Sequence, residues 1–211
     1  EVVINAAGVI PARSEGSTGR MWEANRDGPR VIAEVCGPLG VRVVNVSTDC
    51  VYSGTMLPDG RYIAGLDEPD ATDDYGLSHA EGEVKAPHVM NVRTSFVGSE
   101  HGLWAWLLAQ EPGTVVPGWV NARWSGSTVW AVVARLARFA DGEFVPGVVH
   151  LATAEPTTKY AVCSLLNERL SLGLTVQRVE QPVINRALQH DIGEPLQPFR
   201  EALDEFVRRV S

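Results

Sequence analysis

The sequence predicts an α/β protein built on a parallel sheet, with a smaller α/β lobe in its C-terminal half. Short apolar runs typical of buried strands alternate with longer segments that have helical periodicity. Small or polar residues follow several of the strand-like runs, at the edge where open α/β sheets carry their chemistry. The C-terminal half continues the alternation with shorter, amphipathic elements.

Composition restricts the classes of function. The chain has 211 residues, of which 45% are hydrophobic and 21% charged, so it can bury a sizeable core. Its formal net charge of -8 argues against a general nucleic-acid or anionic-membrane partner. No apolar run approaches the ~20 residues of a membrane span. Cys36, Cys50 and Cys163 have no metal-binding spacing, which favours reduced thiols, no metal and a cytoplasmic location.

The elements of the first half follow from apolar runs and the residues that interrupt them. Gly37, Pro38 and Gly40 end the first helical pattern, and a loop rich in Gly, Pro and Asp precedes the second. The predicted elements are a strand at Val2–Asn5, a helix at Gly19–Leu39, a strand at Val41–Val46, a loop at Ser53–Asp74, a helix beginning at Tyr75 and a strand at His88–Val92.

The second half contains helices with one apolar face. The clearest is Val129–Ala140, where Val132, Val133, Leu136 and Phe139 share a face. A helix at Glu155–Leu170 carries Pro156 near its start, with Thr157 or Thr158 as a cap. The other predicted elements are a helix at Leu103–Ala109, a strand at Thr114–Trp119, a strand at Gly147–Ala152, an extended segment at Gln177–Pro182 and a terminal helix at Pro198–Val210.

Several motifs in a fixed order resemble one protein family. The segments that carry the resemblance are VINAAG at Val3–Gly8, EANRDGP at Glu23–Pro29, VNVSTDCVYSG at Val44–Gly54, YGLSHAEGE at Tyr75–Glu83 and RTSFVG at Arg93–Gly98. Together they resemble the extended short-chain dehydrogenase/reductase superfamily, in the branch of dTDP-4-dehydrorhamnose reductases and related sugar-nucleotide-binding proteins. The resemblance implies a Rossmann-like sheet. Residues 1–98 would form the C-terminal part of a dinucleotide-binding domain. Residues 99–211 would form mainly the sugar-nucleotide lobe, with segments returning to the sheet.

The family's Gly-rich turn, which receives the cofactor pyrophosphate at a helix N-terminus, is expected before Glu1. No G-x-x-G-x-x-G sequence follows a strand in this chain, and Gly8–Gly16 lacks that spacing. The sequence therefore predicts either a fragment of a longer chain, in which the Gly-rich βαβ unit is missing, or a protein that lacks half of its dinucleotide site.

The resemblance implies catalytic roles for Thr48, Tyr75 and His79. Thr48 would hydrogen-bond the reacting sugar oxygen and Tyr75 would be the general acid. The family places a Lys where this chain has His79, and the cation would bring the phenol pKa of ~10 towards neutrality. A neutral His is a weaker partner for the phenol. The alternative is that His79 is a surface helix residue in a protein that does not catalyse.

The remaining predicted site residues are also implied by the resemblance. The structural alternatives are a turn cap for Asp49, core packing for Phe96, and anchoring of the second lobe for Arg123 and Trp124. Asp49, Phe96, Arg123 and Trp124 would join Thr48 in substrate binding. Asn25 and Arg93 would be supporting residues, Arg93 with a structural ion pair as its alternative. The predicted cofactor-binding residues are Ala6, Ala7, Gly8, Ser47, Tyr75, His79 and Thr94.

The function implied by the resemblance is NAD(P)H-dependent reduction of a nucleotide-linked 4-keto sugar in deoxysugar or polysaccharide biosynthesis. The cofactor would be NADP or NAD, and the partner would be a nucleotide sugar. The chain could also form a homodimer. One alternative is a catalytically impaired protein that binds a sugar nucleotide or NADP on the same fold. The other is a sugar-nucleotide epimerase or dehydratase, which needs a second acid/base pair near Thr48; Asp49 is the adjacent candidate.

Overall fold

The computed structural model describes residues 1–14, 16–56, 60–98 and 101–210, with side chains up to residue 208. Residues 57–59 of the predicted loop lie outside the described residues. The strands are β1 Val2–Asn5, β2 Arg42–Thr48, β3 Val89–Thr94, β4 Phe96–Val97, β5 Val115–Trp119, β6 Ala122–Trp124, β7 Ser127–Thr128, β8 Gly147–His150, β9 Thr157–Thr158, β10 Thr175–Val179 and β11 Ile184–Asn185. The helices are α1 Thr18–Trp22, α2 Gly28–Cys36, α3 Asp74–Glu81, α4 Gly102–Leu108, α5 Val129–Ala140, α6 Lys159–Arg169 and α7 Phe199–Val210.

A four-stranded parallel sheet of order β1-β2-β3-β8 organises the first half of the molecule. One face packs on α5, where Val44, Met90 and Val149 contact the apolar stripe of the helix. That stripe includes Val132, Leu136 and Phe139, and α5 has the predicted bounds. The predicted α/β class with a parallel sheet is confirmed. Because all four strands are parallel, their carboxyl ends meet at one edge of the sheet.

A ladder of buried asparagines fixes the register of the first three strands. Asn5, Asn45 and Asn91 are direct partners in the parallel pairing. Asn5 Nδ2 donates to Asn45 Oδ1 at 2.9 Å, and Asn45 Nδ2 donates to Asn91 Oδ1 at 3.1 Å. A shift of one residue would turn these amides to the other face and leave them without partners. The ladder therefore fixes which side chains project from the strand ends above it.

The predicted helix at Gly19–Leu39 contains a π-helical segment at Glu23–Asp27 between α1 and α2, and a final 3-10 turn at Gly37–Leu39. Asn25 lies in the middle of the π-helical segment and is 2% exposed. A π-helical segment inserts a residue into the helix and re-aims nearby side chains. Here the π-helical segment directs the Asn25 side chain into the protein. Asn25 is the polar residue that interrupts the apolar stripe of the predicted helix.

The helix α3 packs backbone to backbone against its neighbours, and this explains two glycines of the YGLSHAEGE motif. A Cβ on Gly76 would lie 2.2 Å from the Cys50 carbonyl oxygen, and one on Gly82 would lie 2.0 Å from the Asn25 carbonyl oxygen. Any side chain would push α3 away from the end of β2 or from the π-helical segment. These close approaches bring Tyr75 to the sheet edge.

The second lobe has its own core, formed where α4, α6 and α7 surround the β5–β10 pair. Within it, β6 pairs with β11 in parallel and with β9 in antiparallel orientation. Because Thr157–Thr158 pairs with Arg123–Trp124, α6 begins at Lys159 with Thr158 as its cap. The prediction of a helix starting near Glu155, with Pro156 in its first turn, is therefore wrong, whereas the Thr158 cap is confirmed.

Two further features are absent from the described part of the chain. None of the described helices combines the length and apolar character that a membrane crossing requires. Within the same residues, the His, Cys, Asp and Glu side chains form no group that could hold a metal ion.

Candidate active site at the carboxyl end of the sheet

The end of β2 and the start of α3 bring Thr48 and Tyr75 together. The Thr48 hydroxyl accepts a hydrogen bond from the Cys50 amide at 3.1 Å, which caps the turn after the strand. The Asp73 side chain caps α3 by accepting from the Gly76 amide at 2.9 Å. The Thr48 hydroxyl donates to Asp49 Oδ1 at 3.3 Å, and the Thr48 side chain is near enough to the Tyr75 phenol to affect its pKa. Two oxygens suited to binding and protonating a carbonyl oxygen thus lie near each other.

Burial has the largest effect on the Tyr75 phenol. Burial, followed by the proximity of Cys50, raises the pKa of Tyr75 far above its usual value, and the Thr48 side chain opposes this shift. The Tyr75 side chain therefore remains protonated at neutral pH and is available as a proton donor. The same shift makes it a weaker acid than the family's cation-assisted tyrosine would be.

His79 lies one turn after Tyr75 and contacts its ring. The ring centroids are 4.8 Å apart with an interplanar angle of 75°, so one ring meets the edge of the other. Burial lowers the pKa of His79 to about 4. The imidazole is therefore neutral at pH 7, and it places no positive charge beside the phenol.

Small residues at the end of β1 border His79. Ala6, Ala7 and Gly8 are exposed. A Cβ on Gly8 would lie 3.3 Å from Asn25 Oδ1 and 3.7 Å from His79 Cε1. The backbone at Gly8 thus passes close to the imidazole, on a surface of small, exposed residues. Such a surface fits a flat ligand lying across the strand end, so these residues are compatible with part of a dinucleotide site.

Asn25 connects this surface to α3. Its side chain accepts from the Val9 amide at 2.7 Å and donates to the Val9 carbonyl at 2.9 Å, and it also donates to Ser78 Oγ at 3.2 Å. The residue after Gly8 and the helix that carries Tyr75 are therefore held by one buried amide. The supporting role of Asn25 in the active site stays a prediction, and these hydrogen bonds give it a structural basis.

Three predicted residues are engaged in internal contacts. Ser47 Oγ donates to Glu83 Oε1 at 2.8 Å, and Thr94 Oγ1 donates to the Leu151 carbonyl at 2.8 Å. Arg93 forms a buried ion pair with Glu83, with Nη2 and Oε2 2.7 Å apart. The structural ion pair that was the alternative for Arg93 is thus present. Side chains alternate along a strand, so Ser47 and Arg93 project from the face opposite Thr48.

A cavity of about 290 Å³ opens beside this edge, between the end of β2 and the second lobe. Asp49, Arg123 and Trp124 line it, as the substrate-binding prediction requires. Phe96 is not among the described lining residues and is 42% exposed. Trp124 is 1% exposed, and Lys159 Nζ lies 4.4 Å from its ring centroid. One face of the Trp124 ring is therefore covered by an ammonium group.

Lys159 and Arg186 also line the cavity, and sequence reasoning missed both. Lys159 is the first residue of α6, and Arg186 follows β11. Neither belongs to a motif, and only the fold of the second lobe brings them to the end of β2. Two cavities are larger. The described lining of one, of about 500 Å³, includes no predicted site residue, and that of the other, of about 560 Å³, includes only Arg123, so size alone does not identify the site.

Comparison with known proteins identifies the family. The family described as RmlD substrate binding domain matches residues 1–211. A dTDP-4-dehydrorhamnose reductase of Mycolicibacterium smegmatis is 28% identical over 172 residues, which are 76% of this chain and 51% of that protein. A second, from Sinorhizobium fredii, is 33% identical over 108 residues, covering 48% of this chain and 34% of its own length. The chain thus spans about half the length of the first of these relatives, and less of the second.

Solved structures agree on the fold. A dTDP-4-dehydrorhamnose reductase from Clostridium acetobutylicum superposes with a TM-score of 0.84 at 18% identity, covering 99% of this chain and 80% of that one. The Bacillus anthracis enzyme in complex with NADP gives a TM-score of 0.82 at 17% identity, with the same coverage of both chains. The resemblance stated from the sequence motifs is confirmed, and the chain belongs to the RmlD substrate-binding domain family.

Proposed function

We propose that this chain carries the catalytic acid and the sugar-binding half of an NAD(P)H-dependent reductase acting on a nucleotide-linked 4-keto sugar. The observation that carries this proposal is the convergence of Thr48 and Tyr75 at the carboxyl edge of a parallel sheet. A cavity lined by indole rings and positive charge adjoins that edge. Family membership and the names of the relatives support the same reaction.

In this proposal the Thr48 hydroxyl hydrogen-bonds the keto oxygen and the Tyr75 phenol gives it a proton. The raised pKa of Tyr75 keeps that proton on the phenol until negative charge develops on the oxygen. Ala6, Ala7, Gly8 and His79 would lie against the nicotinamide cofactor, which supplies the hydride when bound. His79 can donate one N–H to it but adds no charge at neutral pH.

A second candidate function is binding of the same nucleotide sugar without turnover. The observation that favours it is the neutral imidazole at the position of the family's lysine. With no cation beside it, a buried phenol is slow to exchange its proton near neutral pH. Binding and turnover therefore have to be measured separately.

The test is turnover of a dTDP-linked 4-keto-6-deoxyhexose with NADPH or NADH, followed by loss of nicotinamide absorbance. Tyr75→Phe should lower the rate by at least ~10²-fold, the usual contribution of a positioned acid. Tyr160→Phe is the matched control, because Tyr160 is absent from the described lining of the cavity. Equal turnover by wild type and Tyr75→Phe would refute the role of Tyr75. Ligand-induced thermal stabilisation without any turnover in the wild type would establish the second candidate.

A further inference from the structure

The cavity beside Cys50 has more basic than acidic side chains among its described lining residues. Arg123, Lys159 and Arg186 line it together with a single carboxylate, that of Asp49. Among the described ion pairs, none involves Lys159 or Arg186. Removing a charge from water costs free energy unless a partner offsets it. Two such groups at one cavity are therefore candidates for contact with an anion.

Lys159 is held in place by an aromatic ring. Its Nζ lies 4.4 Å from the ring centroid of Trp124, whose indole N–H donates to Ser95 Oγ at 2.7 Å. Burial lowers the pKa of Lys159, and the proximity of Asp49 and Cys50 opposes this shift. The ammonium thus lies near the residues that follow Thr48, in a position fixed by a buried tryptophan.

Arg186 is held by the same stretch of chain. Its Nε donates to the Tyr52 carbonyl at 2.9 Å, and Nη1 contacts Cys50 Sγ at 3.1 Å. No described residue forms a hydrogen bond with Nη2. The guanidinium is therefore oriented by two neutral partners and keeps donors available at the cavity.

We propose that Lys159 and Arg186 bind an oxyanion of the nucleotide-sugar ligand, a phosphate or a carboxylate, close to the sugar carbon that faces Thr48 and Tyr75. The proposal rests on the proposed function, because it assigns a ligand group to that same site. The position follows from Cys50, which contacts Arg186 and whose amide bonds to Thr48. The anion would be either the diphosphate or a carboxylate on the sugar ring.

Calorimetric titration of the full chain distinguishes these sources. The probes are dTDP, UDP, dTDP-glucose, UDP-glucose and UDP-glucuronate. Lys159→Met should weaken binding about 10- to 100-fold, the usual range for losing a charge-assisted hydrogen bond. If the anion is the diphosphate, all probes weaken together. If it is a sugar carboxylate, wild type prefers UDP-glucuronate to UDP-glucose and Lys159→Met removes that preference. Either pattern supports the proposal.

Three further variants distinguish ligand binding from a purely structural effect. Arg178→Met is the matched control, because the Arg178 guanidinium carbon lies 4.8 Å from the Tyr160 ring centroid, and Arg178 is not among the residues described as lining the cavity. Lys159→Arg keeps the charge and should keep most of the affinity, and Arg186→Met should weaken the same probes as Lys159→Met. Unchanged affinities in Lys159→Met and Arg186→Met, or an equal loss in Arg178→Met, would overturn the proposal. Absence of binding to any probe by wild type would instead overturn the proposed function.

Discussion

Ser47 and Thr48 are neighbours at the end of one strand, and they serve opposite sides of the sheet. Ser47 is 4% exposed, and its hydroxyl donates to Glu83, which is paired with Arg93. Thr48 is 8% exposed, its hydroxyl caps the next turn, and its side chain lies near the Tyr75 phenol. The next residue, Asp49, lines a cavity. The two hydroxyls are similar in chemistry and burial. They differ in their surroundings, because within the described part of the chain only the Thr48 side adjoins a cavity that a ligand could occupy.

The Ser47 side is a closed network of internal partners. Arg93 Nη1 also donates to the Tyr52 hydroxyl, which lies 3.2 Å from His150 Nε2. The Thr48 side has a proton donor with a strongly shifted pKa, an adjoining cavity, and two cations, Lys159 and Arg186, that take part in none of the ion pairs described. Polar groups that satisfy one another stabilise the fold, whereas polar groups left facing a cavity are the ones available for binding and catalysis.

A substitution in the network on the Ser47 side of the sheet should have the largest effect on stability. Glu83→Gln leaves the Arg93 charge buried without its carboxylate, because the two side chains are 6% and 4% exposed. We expect the free energy of unfolding to fall by about 3–5 kcal/mol, as is typical when one partner of a buried pair is removed. Urea denaturation measures this. Asp27→Asn, in the exposed Arg26–Asp27 pair, is the matched control and should change little. Similar small losses in both variants would contradict a structural role for the network.

A substitution on the Thr48 side of the sheet should change the rate of turnover. His79→Lys places a cation one turn from the phenol and lowers its pKa by favouring the phenolate. In the proposed reaction we expect kcat to rise about tenfold, equivalent to ~1.4 kcal/mol in the barrier. His190→Lys is the control, because that imidazole contacts the Gly193 carbonyl in a different loop. A protein that binds cofactor and gains no activity from His79→Lys would count against the electrostatic account.

Acid should reduce stability through the buried imidazoles of both sides. Burial lowers the pKa of His79 and of His150 to about 4, from an ordinary value of 6.5. Between these values the unfolded chain binds protons that the native protein excludes, so stability rises with pH across this window and is lost as pH falls. His79→Gln should remove about 1 kcal/mol of this loss at pH 5, after allowing for partial exposure. Parallel curves of stability against pH for wild type and His79→Gln would be inconsistent with a neutral buried His79.

Local patterns predicted much of this architecture. The bounds of α5 follow from its apolar face, and the meeting of Thr48 with Tyr75 follows from a strand end and a helix start within one motif-rich stretch. The start of α6 was misplaced because Thr157–Thr158 pairs with a strand far along the chain. The sequence also could not predict which face of β3 carries Arg93. All six β3 residues are buried, so the strand has no alternating pattern of apolar and polar residues.

Contacts between the two halves explain the remaining misses. Lys159 and Arg186 reach the end of β2 through the packing of the second lobe, and no local signal marks either residue. Trp124, a predicted substrate-binding residue, lines the cavity, but Lys159 covers one face of its ring. The sequence can thus predict residues within a motif, while the partners that set their chemistry come from long-range packing.

The most direct test of the account is whether Thr48 and Tyr75 act on one ligand oxygen. The measurement is the affinity difference between dTDP-glucose and its 4-deoxy analogue, in wild type, Thr48→Val, Tyr75→Phe, the double variant and Ser47→Ala. We predict that each single substitution removes most of the preference for dTDP-glucose. The double variant should lose little more, with a coupling of at least ~1 kcal/mol, and Ser47→Ala should keep the preference. Losses that add within ~0.5 kcal/mol, or a loss in Ser47→Ala equal to that in Thr48→Val, would contradict the account.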